Sequence, residues 1–218
     1  MNYAIVTAAG KGTRFGDRKT LHLLNGKPLL SWSLRVFEEA PEITEVVVTF
    51  APDGSEEEYK RICTDENYKK PRFVAGGDTR YDSVRNAFFS IKDQKGIILI
   101  HDAARPLLSR ELLLRVLAAT EKHGAALPVL PITETVKEIE GEQIVRTLGR
   151  EKLFVAQTPQ GFRIELLASA YAKIKETSIT DEAMLVEMAG YGVHVVAGDH
   201  RNLKITERSD IKVAETYL

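Results

Sequence analysis

The chain has 218 residues, of which 44% are hydrophobic and 28% are charged, and these values are typical of one globular α/β domain. Its 30 basic and 31 acidic residues leave a formal charge of −1, which argues against a nucleic-acid-binding or membrane-attracted surface. The single cysteine, Cys63, excludes an intrachain disulfide and a cysteine metal cluster. Because the N-terminus lacks the zones of a signal peptide and no apolar run approaches the ~20 residues that span a bilayer, we expect a cytoplasmic protein.

Short apolar runs alternate with amphipathic segments from the N-terminus onward. Strands are predicted at 3–7, 45–50, 72–75, 96–101 and 193–197, and helices at 28–39, about 56–63, 79–90, 109–122, 164–175, 180–189 and from about 207. This alternation predicts a single α/β domain over residues 1–218, with a Rossmann-like, mostly parallel sheet and helices on both faces. Ligands of such sheets bind where the strands end, near the point at which the strand order reverses.

The pattern changes after Pro131. Residues 133–139 and 143–147 alternate Thr, Val and Ile with charged residues about Gly141-Glu142, which predicts a β-hairpin. Because the exposed edges of such a hairpin usually need covering, we interpret residues 133–150 as an arm that reaches a second subunit, giving a homodimer. An ordinary surface hairpin is the alternative.

A glycine-rich loop, Ala8 to Gly16, follows the first strand. The loop and the residues after it carry four cations, Lys11, Arg14, Arg18 and Lys19. Cations above backbone N–H groups suit a triphosphate, and a solvated basic loop is the alternative. The dinucleotide fingerprint would need a glycine in place of Phe15 and an acidic residue after the second strand, and the P-loop pattern is also missing.

Five segments carry a resemblance to a known family. They are Ala8 to Arg14; Gly76-Gly77-Asp78-Thr79-Arg80 with Asp82-Ser83-Val84; His101-Asp102-Ala103-Ala104-Arg105-Pro106; Gln157-Thr158-Pro159-Gln160; and Asn202-Leu203-Lys204-Ile205-Thr206. The first resembles the nucleotide-binding loop of sugar-phosphate nucleotidyltransferases. Together, in order and over nearly the whole chain, the five are similar to the 2-C-methyl-D-erythritol 4-phosphate cytidylyltransferases, which use CTP.

The resemblance implies roles for particular positions. Arg14 and Lys19 match the pair that stabilises charge at the α-phosphate. The family positions that hold the cytidine nucleotide correspond to Ala8, Ala9, Gly10, Gly77, Asp78, Ser83 and Ala103. Asp102 matches an acidic residue near metal and substrate, and the positions around the polyol phosphate are matched by Arg105, Thr135, Arg150, Thr158, Thr180 and Lys204. Thr135 and Arg150 would lie on or beside the dimer arm. The chain departs from the family at Arg18-Lys19-Thr20 and at Glu134.

The implied chemistry needs no covalent intermediate, because the phosphate of the substrate is the nucleophile. The task is to position two anions and to neutralise charge on the transferred phosphorus. Mg²⁺ bridging the triphosphate would ease the departure of pyrophosphate. Asp102 is the candidate metal ligand, since one carboxylate with substrate phosphates is the usual arrangement for Mg²⁺; the alternative role of Asp102 is a cap on the following turn.

The motifs are compatible with other functions. A ribitol 5-phosphate cytidylyltransferase would share most of the motifs, although Glu134 to Lys137 and Ala104 favour the erythritol enzyme. A nucleotidyltransferase acting on a hexose phosphate is a further candidate. From other classes, a divergent NAD-dependent oxidoreductase is opposed by the missing glycine and ribose carboxylate. A non-catalytic nucleotide-binding module is opposed by cations placed for the α-phosphate.

Overall fold

A computed structural model describes residues 1–10, 15, 18–52, 55–175 and 178–218. Its strands are β1 Asn2–Thr7, β2 Leu23–Leu24, β3 Lys27–Pro28, β4 Glu45–Phe50, β5 Pro71–Ala75, β6 Ile97–Asp102, β7 Ala125–Pro131, β8 Val136–Glu140, β9 Gln143–Leu148, β10 Phe154–Ala156, β11 Gln160–Arg163 and β12 His194–Ala197. Its helices are α1 Leu29–Glu39, α2 Ser55–Asp65, α3 Arg80–Phe89, α4 Arg110–His123, α5 Ile164–Lys173, α6 Glu182–Met188 and α7 Ser209–Glu215, with a short 3-10 turn at Lys19–Leu21.

One eight-stranded sheet forms the centre of the molecule. β5, β4, β1 and β6 lie side by side and parallel. β11 then joins β6 to β7 through antiparallel pairs, and β7 pairs in parallel with β12 and antiparallel with β10. The prediction of a mostly parallel α/β sheet is therefore confirmed.

Both faces of the sheet are covered, because its central strands bury side chains on both sides. Along β6, Ile97 and Leu99 pack on the side of α1, α2 and α4, whereas Ile98 and Ile100 pack on the side of α3, α5 and α6. Successive side chains of a strand point to opposite faces, so a continuous apolar run such as Ile-Ile-Leu-Ile is the pattern expected for a central parallel strand. A third, smaller cluster holds α7 against Leu24 and Leu29.

The strand order reverses between β1 and β6. The chain moves from β1 outward to β4 and β5, and then returns to place β6 on the other side of β1. The segments that follow β1 and β6 therefore diverge and leave a crevice at the carboxyl ends of these strands. Thr7 is paired with Asp102 in this register, so both residues open into that crevice.

The predicted hairpin is present. β8 and β9 pair antiparallel about Gly141, whose φ is +58°, and they form a separate two-stranded sheet. Ile139, Ile144 and Val145 are more than half exposed on it. An apolar surface of this kind on a free hairpin favours a partner, but the use of the hairpin as a dimer arm stays a prediction.

Besides the two-residue strands β2 and β3, three strands of the central sheet, β7, β10 and β11, were not predicted from the sequence. Pro128 and Pro131 interrupt the apolar run of β7, and proline normally argues against a strand inside a sheet. β10 and β11 have three and four residues, too few for a period to be recognised. The predicted helices shift by one to two residues at most of their ends, as helix boundaries usually do. None of the helices in the described ranges is long and apolar enough to cross a bilayer.

Candidate active site

A cavity of about 440 Å³ lies at the carboxyl ends of β1 and β6. Its described walls are Thr7, Ala8, Ala9, Gly10, Phe15, Lys19, Thr20, Ala51, Pro52, Gly77, Asp78, Thr79, Arg80, Ser83, Asp102, Ala104, Lys204 and Thr206. Nine predicted residues therefore share one cavity. A second depression of about 450 Å³, bordered by Lys122 and Arg163, is open to solvent, and its described walls include none of the predicted residues.

Close backbone approach shapes one wall of the cavity. A Cβ atom on Gly76 would lie 2.5 Å from Cβ of Ala9 and 2.8 Å from Oγ of Ser83, and one on Gly77 would lie 2.3 Å from Cβ of Asp82. A side chain at Gly76 would push the β5–α3 turn away from the loop after β1, and one at Gly77 would push it away from the first turn of α3. The backbone N–H of Gly77 donates to Oγ of Ser83 at 3.0 Å, which fixes the turn.

The N-terminus of α3 faces the same cavity. Thr79 caps the helix: its Oγ1 accepts from the backbone N–H of Asp82 at 3.1 Å, while the Asp82 carboxylate accepts from the Thr79 backbone N–H at 3.2 Å. This capping box fixes the first turn. Arg80 and Ser83 follow on the cavity wall, beside a helix end that carries partial positive charge and favours anions.

Asp102 lies between two cations. Lys204 Nζ donates to its Oδ2 at 2.6 Å, and Arg80 Nε donates to its Oδ1 at 3.3 Å, the same distance as from Oγ1 of Thr7. Burial alone would raise the pKa of Asp102, but Arg80 and Lys204 outweigh it and hold that pKa well below its usual range. Asp102 is therefore an anion throughout the physiological pH range.

A buried polar network supports Asp102 from behind. Oγ1 of Thr158 accepts from the backbone N–H of Asp102 at 3.1 Å and lies 2.9 Å from Nδ1 of His101. Nε2 of His101 donates to the carbonyl of Arg105 at 3.1 Å. Burial lowers the pKa of His101 to about 4, so the ring is neutral at physiological pH. Its Nδ1 is then the acceptor and takes the proton of the Thr158 hydroxyl.

The low pKa of His101 predicts a loss of stability in mild acid. The unfolded chain takes up a proton on this residue near pH 6.5, whereas the folded chain does so only near 4. Its contribution to the free energy of unfolding is full above pH 6.5 and is lost as the pH falls toward 4, by on the order of 3 kcal/mol. We expect denaturant titrations to show the stability gap between wild type and His101→Gln narrowing from pH 7 to 4.5. The same substitution at the exposed His200 is the control, and a gap independent of pH would contradict the assignment.

The predicted catalytic cations fall partly within the described residues. Lys19 lines the cavity, and its Nζ donates to the backbone carbonyl of Ile205 at 2.6 Å; its catalytic role stays a prediction. Arg18 forms an ion pair with Glu58 of α2. Lys11 and Arg14 lie outside the described residues, and the role of Arg14 stays a prediction.

Several other predicted residues do not line the described cavity. Ala103 is fully buried behind it, and Thr158 belongs to the network under Asp102. Arg105 is also buried and donates from Nη1 to the carbonyl of Asn202 at 2.8 Å. Thr135, Arg150 and Thr180 are exposed, and Arg150 donates to the carbonyl of Thr133 at the base of the hairpin. Their assignment to the acceptor phosphate stays a prediction.

Asp102 suits a divalent cation on one condition. It is a permanently charged oxygen ligand in the cavity wall, the type that Mg²⁺ prefers, and within the described residues no cluster of three or more metal-ligating side chains competes with it. Both of its oxygens already contact Lys204 and Arg80. A metal ion at Asp102 would therefore have to replace Lys204 or Arg80.

The sequence pattern of the 2-C-methyl-D-erythritol 4-phosphate cytidylyltransferase family matches residues 2–218. The chain belongs to this family. A relative of that name from Acidobacterium capsulatum is 39% identical, with 99% of this chain and 96% of the relative covered. One from Pelotomaculum thermopropionicum is 40% identical, with coverage of 99% and 93%.

Solved structures of the family share the fold. The crystal structure of the 2-C-methyl-D-erythritol 4-phosphate cytidylyltransferase from Thermus thermophilus is 36% identical and superposes with a TM-score of 0.81, covering 98% of this chain and 96% of that one. The structure of the Francisella tularensis enzyme of the same name is 30% identical, with a TM-score of 0.85 and coverage of 100% and 99%. The recognition made from the five motifs is confirmed.

Two charged residues at or next to the cavity were missed by sequence reasoning. Arg80 stands at the end of the Gly-Gly-Asp-Thr-Arg motif, but that motif alone did not single out its side chain. Glu182 follows Asp181, the N-cap of α6, and pairs with Arg80 at 2.8 Å although 102 residues separate them. The short motif around Arg80 could have drawn attention to it, whereas no local signal identifies Glu182.

Proposed function

We propose that this chain transfers CMP from CTP to 2-C-methyl-D-erythritol 4-phosphate, giving 4-diphosphocytidyl-2-C-methyl-D-erythritol and pyrophosphate. The observation that carries the proposal is the cavity at the carboxyl ends of β1 and β6, where the strand order reverses. It combines the backbone-lined wall of Ala8 to Gly10 and Gly77 with the cations Lys19, Arg80 and Lys204. Such a site suits two phosphorylated substrates, whose reaction needs no covalent step on a protein side chain.

The reaction follows from this arrangement. An oxygen of the acceptor phosphate attacks the α-phosphorus of CTP, a new P–O bond forms, and the bond to the β-phosphate breaks to release pyrophosphate. Lys19 and Arg14 would neutralise charge on the oxygens of the transferred phosphorus, while Lys204 would orient the incoming phosphate. The gain comes from positioning and from preorganised charge.

A divalent cation, Mg²⁺, belongs to the proposal. It would be held by the triphosphate oxygens and by Asp102 once Lys204 turns to the acceptor phosphate. When bound there, it would draw electron density from the leaving group. Lys204 is suited to such a change of partner because its side chain is 39% exposed and flexible.

Pyrophosphate release tests the function. Purified protein would be supplied with CTP and Mg²⁺, in parallel with methylerythritol phosphate and with ribitol 5-phosphate. Release with the first acceptor alone is the expected result. Release with ribitol phosphate alone would keep the fold and the cations but replace the acceptor, and no release from protein that binds CTP would overturn the enzymatic proposal.

We further propose that the hairpin carries residues to the active site of a second subunit. Thr135 and Arg150 are exposed at the hairpin and its base, outside the described walls of the cavity, while apolar side chains on β8 and β9 are also exposed. A homodimer with exchanged arms would bury that apolar surface and bring Arg150 to the partner's acceptor site. Sedimentation as a monomer at micromolar concentration would contradict this assembly.

Substitution of the arm residues should affect one substrate only. For Thr135→Ala and Arg150→Ala we expect the Michaelis constant for methylerythritol phosphate to rise by roughly tenfold, as the loss of a charged hydrogen bond usually implies. The constant for CTP should stay within about twofold. Steady-state pyrophosphate release at varied acceptor and at varied CTP measures both. Lys137→Ala, on the same hairpin, is the matched control, and a change confined to CTP would contradict the assignment.

A further inference from the structure

Glu182 is a buried carboxylate that the proposed reaction does not use. It is the first residue of α6 and is 0% exposed. One oxygen, Oε2, accepts from Nη1 of Arg80 at 2.8 Å, and Oε1 has no hydrogen-bond partner among the described residues. Burying a carboxylate is costly unless a charge partner compensates, so a fully buried glutamate with one cation points to a function for that cation.

Arg80 connects this carboxylate to the cavity. Its Nε donates to Asp102 at 3.3 Å and its Nη1 donates to Glu182, so that two carboxylates hold one guanidinium. The side chain is 27% exposed, and it lines the cavity together with Gly77 and Ser83. A planar guanidinium fixed at two nitrogens has little rotational freedom left.

The arrangement is a row of alternating charges: Glu182, Arg80, Asp102 and Lys204. Without Glu182, Nη1 of Arg80 would be free, and the guanidinium could turn onto both oxygens of Asp102, the pairing that its fork favours. Lys204 would then lose its hydrogen bond to Oδ2 of Asp102. Alternatively, the Arg80 guanidinium could turn into the cavity as a misplaced cation.

We propose that Glu182 is a positioning residue that acts through Arg80 on the bound nucleotide. It holds the guanidinium against the cavity wall, in the one orientation that shares Asp102 with Lys204 and leaves the space beside Gly77 and Ser83 to the nucleotide. The inference rests on the proposed function, because it presumes that CTP occupies this cavity.

A double-mutant cycle tests the proposal. Glu182→Gln removes the charge and keeps the shape, and Arg80→Gln removes the group through which Glu182 acts. We expect Glu182→Gln to raise the Michaelis constant for CTP about tenfold, since small misplacements at a preorganised site carry losses of this order. In the Arg80→Gln background, Glu182→Gln should change that constant by less than about twofold. If each substitution raised the Michaelis constant by the same factor in the presence and in the absence of the other, the proposal would be overturned. The free-energy effects of two residues that act as one unit are not additive.

Two further measurements separate positioning from simpler explanations. Glu187→Gln, on the exposed side of the same helix, should leave the constant for CTP within about twofold, and circular dichroism should show each variant folded at the assay temperature. Equilibrium dissociation constants for CTP with Mg²⁺, measured without turnover, should show the same dependence on the two substitutions as the Michaelis constants.

Tighter CTP binding by Glu182→Gln would mean that only net charge mattered and would contradict the proposal. Absence of turnover with every acceptor, despite this binding pattern, would instead count against the proposed function.

Discussion

Replacing Lys19 with alanine should lower the turnover number by about a hundredfold or more. Lys19 lines the cavity, and the carbonyl of Ile205 holds its ammonium group at 2.6 Å. A charge that is fixed in advance near the reacting phosphorus needs no reorganisation during the reaction. Removing one such contact typically costs about 10²–10³ in rate. The same loss is expected for Arg14→Ala, on the basis of its place in the glycine loop.

Single-turnover measurements with saturating CTP and acceptor would isolate the chemical step. Arg18→Ala is the matched control, because Arg18 is adjacent in sequence but pairs with Glu58 on α2; we expect it to retain at least about a third of the rate. Turnover near that of wild type in both Lys19→Ala and Arg14→Ala would remove these residues from the mechanism. A large loss in Arg18→Ala alone would transfer the catalytic role to Arg18.

The second large effect is expected for Asp102→Asn. The substitution keeps the shape of the side chain but removes the anion between Arg80 and Lys204, so both cations lose their common anchor. We expect turnover to fall by roughly a hundredfold, because Lys204 loses its ion pair and Arg80, among the described residues, keeps only its contact with Glu182. The free energy of unfolding should fall by about 1–2 kcal/mol, less than for a fully buried pair, since Lys204 can return to water.

Urea titrations and steady-state kinetics on the same preparations measure both quantities. The control is Asp65→Asn, which removes a carboxylate whose ion pair with Arg61 on α2 is exposed and should change neither value appreciably. If Asp102→Asn kept its turnover while losing stability, Asp102 would be a structural anchor only. Unchanged stability together with lost turnover would point to a direct role at the substrate or at the metal ion.

The parts of the fold that depend on local pattern were predictable from the sequence. The buried strand ending in His101-Asp102 and the helix capped by Ser109 have continuous apolar runs or a 3.6-residue period, and both are present. β7 was missed because its prolines oppose a strand, and its neighbours β10 and β11 are too short to show a period. What decides their formation is pairing with residues far away in the sequence.

The same distinction holds at the site. Gly77, Asp78 and Ser83 belong to one short motif, and Asp102 ends a recognisable strand, so their place in one cavity follows from the rule for strand ends. The ion pairs of Arg80 with Glu182 and of Lys204 with Asp102 each span 102 positions. Such contacts arise from tertiary packing, and neither composition nor spacing along the chain reports them.

The alternating row of Glu182, Arg80, Asp102 and Lys204 has a consequence for the behaviour of the site in salt solutions. Two positive and two negative groups at contact distance have no net charge, so their fields largely cancel at distances longer than the row. Salt screens what remains beyond a Debye length, about 10 Å at 0.1 M ionic strength. Arg80 and Lys204 therefore contribute little to the long-range electrostatic attraction of the triphosphate. The steering of CTP toward the cavity, and its weakening by added salt, depend on cations outside this row, among them Lys19.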